Sequence, residues 1–154
     1  MSEHLPILLA EDNEDDVFLM RRAFAQSGLP NPVQVVRNGQ EAIGYLNGQD
    51  PYADRRKHPW PCLLLLDLKM PVVDGFEVLA WLQKRRRPKN LLVVILTSSS
   101  LSADVLRGLE LGADAYLTKP REFETLVGMV RDLGVRIREF MDKPSGLISR
   151  SERL

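Results

Sequence analysis

Five short apolar runs recur along this chain, separated by stretches with helical spacing. The runs are "LPILLA" (5–10), "PVQVV" (32–36), "CLLLL" (62–66), "LLVVILT" (91–97) and "AYLT" (115–118). They are too short for helices, and most are too apolar for strands with one wet face. They read as strands buried on both sides. The stretches between them predict helices. The first starts near residue 14, carries Val17, Leu19, Met20, Ala23 and Phe24, and stops at Gly28 and Pro30. Others cover 39–46, 75–86 and 102–111, the last closed by Gly112. The final one, about 122–141, aligns Phe123, Leu126, Val127, Val130, Leu133, Ile137 and Phe140 on one face. Strands alternating with helices imply an α/β, doubly wound fold: a five-stranded parallel sheet with helices on both faces.

The 154 residues suit one domain, and a hydrophobic content of 44% suits a folded one. Lys plus Arg (21) equals Asp plus Glu (21), so there is no electrostatic footprint for nucleic acid. The one cysteine, Cys62, lies inside the leucine run and reads as a buried hydrophobe. "MSEHLPILLAED" does not have the layout of a signal peptide. No apolar run approaches the ~18 residues of a membrane span. A soluble, cytoplasmic protein is the expectation. "NGQDPYADRRKHPWP" (47–61), with three prolines, predicts an extended loop. The run Arg85, Arg86, Arg87 is expected to complement the dipole at the end of the 75–86 helix.

In such folds ligands bind beyond the carboxyl ends of the strands, where strand order reverses. The first strand ends in "AEDNEDD", the third in Asp67, the fourth in "TSSS" and the fifth in "TKP". Each has a plain alternative: Asn13 and Asp16 suit a helix cap, Thr97 a solvated strand end, Lys119 a surface lysine. Together they make a chemical set. Glu11, Asp12 and Asp67 would repel one another at close range. A hard divalent cation such as Mg²⁺ relieves that, and takes carboxylates together with a phosphate oxygen. Thr97 and Lys119 add a hydroxyl and an ammonium, so the edge is equipped to hold a phosphoryl group. A carboxylate placed among them is a competent nucleophile.

The pieces "AEDN", "LLLLDLKMPVVDG", "VVILTSS" and "GADAYLTKP" resemble the receiver domain of two-component response regulators over roughly residues 5–141. The resemblance implies a flavodoxin-like (βα)5 fold and the following roles. Asp67 accepts phosphate from a histidine kinase. Asp12, Asp67 and the backbone carbonyl of Lys69 bind Mg²⁺, with Glu11 acting through metal-bound water. Thr97 and Lys119 hold phosphoryl oxygens. Tyr116 is the switch aromatic that moves with Thr97. By position rather than by resemblance, Lys69, two past Asp67, and Ser99, two past Thr97, are expected to flank the line of water attack and tune the phosphate's lifetime. A cis peptide is implied at Lys119–Pro120. The family often carries an output domain, and the thirteen residues after the last helix (142–154) read as a tail. A stand-alone regulator is therefore expected, catalysing only its own phosphorylation and dephosphorylation. It would act through the 102–111, 115–118 and 122–141 face on a downstream protein, a histidine phosphotransfer protein or a second copy. The long loop is also similar to that of small regulators paired with bacterial and cyanobacterial phytochromes.

Other readings remain open at this level. They are a phosphate shuttle in a multi-step relay, a phosphate-independent interaction module, and a phosphatase using an aspartyl phosphate. The last is disfavoured because Lys69 stands where such enzymes place an acid.

Overall fold

The computed structural model describes residues 4–85, 87–98 and 102–142. Arg86, Ser99 and the 143–154 tail lie outside them. The elements run β1 (Ile7–Ala10), α1 (Glu14–Ser27), β2 (Val33–Val36), α2 (Gly39–Asn47), β3 (Leu63–Leu66), α3 (Gly75–Lys84), β4 (Leu92–Thr97), α4 (Ser102–Glu110), β5 (Ala115–Thr118) and α5 (Phe123–Asp142). All strands pair in parallel, in the order β2-β1-β3-β4-β5. The expected doubly wound sheet is what forms.

Alternation along the strands divides the core in two. Ile7, Leu9, Leu63, Leu65, Val94 and Leu96 pack with α1 and α5. Leu8, Ala10, Leu64, Leu66, Val93 and Ile95 pack with α2 and α3 on the other face. Each leucine so buried contributes about 1.5–3 kcal/mol. The "LLLL" run is thus apolar at every position because both faces are covered. Edge strand β5 instead alternates: Ala115 and Leu117 reach the core, while Tyr116 and Thr118 are exposed. Cys62 is buried and free, and burial pushes its thiol up to about 11.

Three sequence expectations change. The long loop spans 48–62 and packs on itself. Tyr45 Oη donates to the Pro59 carbonyl at 2.9 Å, and Tyr45, Tyr52 and His58 form a ring cluster with centroids 5.1–5.8 Å apart. The arginine run divides. Arg85 reaches the Asn47 side chain, whereas the Arg87 guanidinium is buried in a 2.6 Å ion pair with Asp114, and Arg87 meets the helix end through its backbone N–H on the Leu82 carbonyl at 3.1 Å. The Lys119–Pro120 peptide is trans; among the described residues the cis bond is Asp50–Pro51. The two X–Pro isomers are close in energy, so sequence alone does not choose between them. Lys119 keeps its backbone N–H on the Thr97 carbonyl at 2.9 Å, continuing β5.

Candidate functional site

The order β2-β1-β3 reverses the chain's direction of travel between β1 and β3, which opens a crevice at their carboxyl ends. Glu11 and Asp12 follow β1 directly and Asp67 follows β3. One oxygen from each lies within 4.8 Å of the others. Glu11 and Asp67 are buried and Asp12 is exposed.

Local backbone explains why Asp67 is held. Its N–H donates to the Ala10 carbonyl at 3.1 Å, and the Lys69 N–H donates to its Oδ1 at 3.3 Å. Gly75 opens α3 hard against this strand end. A Cβ there would lie 2.5 Å from the Asp67 carbonyl oxygen, so only glycine admits the approach. This is the physical content of the aspartate-to-glycine spacing in "DLKMPVVDG".

Lys119, just past β5, reaches across the crevice. Its Nζ donates to Glu11 Oε1 at 2.5 Å, to Asp16 Oδ2 at 2.9 Å and to Asp67 Oδ2 at 3.4 Å. Burial disfavours its charge, but the Glu11 and Asp16 bonds and the Asp67 charge outweigh that and hold the ammonium above the ordinary lysine value. Glu11 is pushed up to about 7, chiefly by burial; the Lys119 bond opposes the rise and the Asp67 charge adds to it.

Asp16 is the residue that sequence reasoning missed. Its backbone N–H takes the expected cap from Asn13 Oδ1 at 2.9 Å. Its carboxylate also binds Lys119, because the first turn of α1 overlies the crevice. The signal available was the count of acids in "EDNEDD", which capping does not exhaust. Thr97 ends β4, buried, with its backbone paired to Thr118. Tyr116 is exposed on β5 opposite Ile95. Lys69 is exposed beside Asp67. Ser99 is outside the described residues. The site thus brings together Glu11, Asp12, Asp67 and Lys119, with Thr97 at the neighbouring strand end.

An all-oxygen set of three carboxylates fits a hard cation and not a soft one. Among the described residues no helix is long and apolar enough to cross a membrane.

Residues 7–131 match the response regulator receiver domain family. The response regulator Rcp1 of Synechocystis sp. is 36% identical over 127 residues, covering 82% of this chain and 84% of that protein. The crystal structure of the phosphorylated cyanobacterial phytochrome response regulator RcpA superposes with a TM-score of 0.75 at 35% identity. It covers 85% of this chain and 91% of that one. The Mn²⁺-bound form of Rcp1 gives 0.70 at 34% identity, over 94% and 99% of the two chains. With its five-stranded parallel sheet and its acidic crevice at the switch point, this chain belongs to the response regulator receiver domain family.

Proposed function

We propose that the protein accepts a phosphoryl group on Asp67 from a phosphohistidine of a sensor kinase, with Mg²⁺, and that the acyl phosphate changes how its surface binds partners. One observation supports this above the rest. Lys119 Nζ lies among Glu11, Asp16 and Asp67, while Glu11, Asp12 and Asp67 share one small acidic crevice.

Asp12, Asp67 and the Lys69 carbonyl would hold the ion, with Glu11 acting through water. Mg²⁺, when bound, neutralises charge on phosphoryl oxygens. A carboxylate oxygen of Asp67 attacks phosphorus, and the P–N bond breaks with its electron pair left on the imidazole nitrogen. Lys119 then exchanges a carboxylate contact for a phosphoryl oxygen, and the Thr97 hydroxyl binds another. Tyr116 and the face of α4, β5 and α5 are the element this biases. Their reader is a downstream protein, a histidine phosphotransfer protein or a second copy. No separate substrate is turned over.

The name of one relative, a phytochrome response regulator, supports a phytochrome-type kinase as donor. The Mn²⁺-bound and phosphorylated relatives support the ion and the modification. The test is labelling by acetyl phosphate with Mg²⁺, followed by intact mass. Wild type should gain one phosphoryl group and Asp67→Asn none. Labelling of Asp67→Asn would sink the assignment, and turnover of a phosphomonoester by wild type would favour a phosphatase.

A further inference from the structure

We infer that Gly39, at the start of α2, is a positioning residue for the metal site, because it braces the strained loop that carries Asp67 and Lys69. The inference rests on the Mg²⁺ site proposed above.

The connection from β3 to α3 is tightly folded at its middle. The Val73 N–H donates to the Pro71 carbonyl at 2.8 Å, and Val72 between them has φ 68°. A bond from residue i to i+2 across a positive-φ centre is the rare, strained kind of γ-turn. A β-branched residue is among the poorest choices for that φ. The Val72 side chain is 72% exposed, so burial of that side chain is not what holds the turn.

The turn is held from its two sides. Downstream, Asp74 and Glu77 form a reciprocal capping box, and the Gly75 N–H donates to the Leu68 carbonyl at 3.0 Å. On the other side, the Val73 carbonyl accepts the Gly39 N–H at 2.8 Å. This donor is one of those that a helix start leaves without an intrahelical partner. A Cβ on Gly39 would lie 2.2 Å from the same oxygen and 2.7 Å from Val73 Cγ1. Only glycine lets α2 come this close. Asn38 and Glu41 fix the helix start in turn: Asn38 Oδ1 accepts the Glu41 N–H at 2.8 Å, and Glu41 Oε1 accepts the Arg37 N–H at 2.8 Å. Helix α2 is therefore a rigid stop against which the loop is bent, and the loop's bend sets where the Lys69 carbonyl stands relative to Asp67.

The test is the Mg²⁺ dissociation constant from calorimetry, read beside Tm and the circular dichroism spectrum. G39A should weaken Mg²⁺ binding by roughly tenfold or more, as loss of a supporting contact around a metal does. G44A, on the same helix, places its methyl at an ordinary 3.7 Å from Tyr52 and should leave affinity within about twofold. V72P, whose φ is fixed near −65°, forbids the turn at an exposed position and should also weaken binding by roughly tenfold with an unchanged spectrum. Adding V72G to G39A should recover much of the loss, since glycine at 72 lets the Val73 carbonyl retreat from the new methyl.

Binding unchanged in G39A or V72P would overturn the inference, as would equal losses in G39A and G44A. So would failure of the double variant to recover, or loss of the fold in both G39A and V72P, because the contact would then serve the fold and not the site. If G39A alone fails to fold, V72P decides. Wild type that binds no Mg²⁺ would instead overturn the metal site itself, and the inference with it.

Discussion

Glu11 is the most deeply buried acid of the crevice, and that burial sets a pH dependence of its own. Its carboxyl is raised from 4.5 to about 7, so the folded chain keeps a proton that the unfolded chain gives up between those values. That contribution is whole below pH 4.5 and is lost as pH rises through 7. Without divalent cation, Glu11→Gln should therefore gain on wild type as pH rises from 4.5 to 7.5, by about 3 kcal/mol or ~6–12 °C in Tm. Thermal melts of both proteins across that range check it; a gap that stays flat or narrows would be contrary. Adding Mg²⁺ should stabilise wild type and close the gap. Glu11, Asp12, Asp67, Thr97 and Lys119 were legible because each ends a recognisable strand. Asp16 was not, because it lies in the first turn of α1, where an acid has a sufficient reason in the helix dipole.

The loop of 48–62 makes the same point for an element. Its extent follows from its prolines and charges. Its internal packing does not, because contacts among Tyr45, Tyr52 and His58 have no period to read. Arg55 organises it, donating to the Leu46 and His58 carbonyls and lying 4.6 Å over the Trp60 ring. Tyr45 is the buried anchor, 1% exposed, with its hydroxyl on the Pro59 carbonyl. Tyr45→Phe keeps the ring packing and removes one hydrogen bond, so it should cost about 1 kcal/mol in urea unfolding. Phosphoryl labelling of Asp67 should be unchanged, since the loop joins the amino end of β3 and the site lies at its carboxyl end. No cost, or a loss of labelling by the folded variant, would show that the loop is arranged or coupled differently.

Across the whole molecule the sheet separates two poles. The alternation of strands and helices was readable from the sequence, and with the strand order of the structure it delivers the acids of β1 and β3 and the lysine of β5 to one edge. The opposite pole holds the strands together by a feature with no sequence signal. Arg87 and Asp114, 27 residues apart, form a buried pair with side chains 6% and 2% exposed. Asp114 Oδ2 also accepts the Val93 N–H at 2.9 Å, so the pair ties the entry of β5 to β4. Removing one partner strips a buried charge of its opposite charge, whereas replacing both with apolar groups leaves no such charge. Asp114→Ala should thus cost about 3–5 kcal/mol in urea unfolding, and Arg87→Met with Asp114→Leu distinctly less. Neither change touches the pole that holds Glu11, Asp12, Asp67 and Lys119, so molecules that remain folded should label at Asp67 to the same extent as wild type. Wild-type stability in Asp114→Ala would show that the pair carries little. Folded protein that no longer labels would show that the two poles are coupled through β4 and β5.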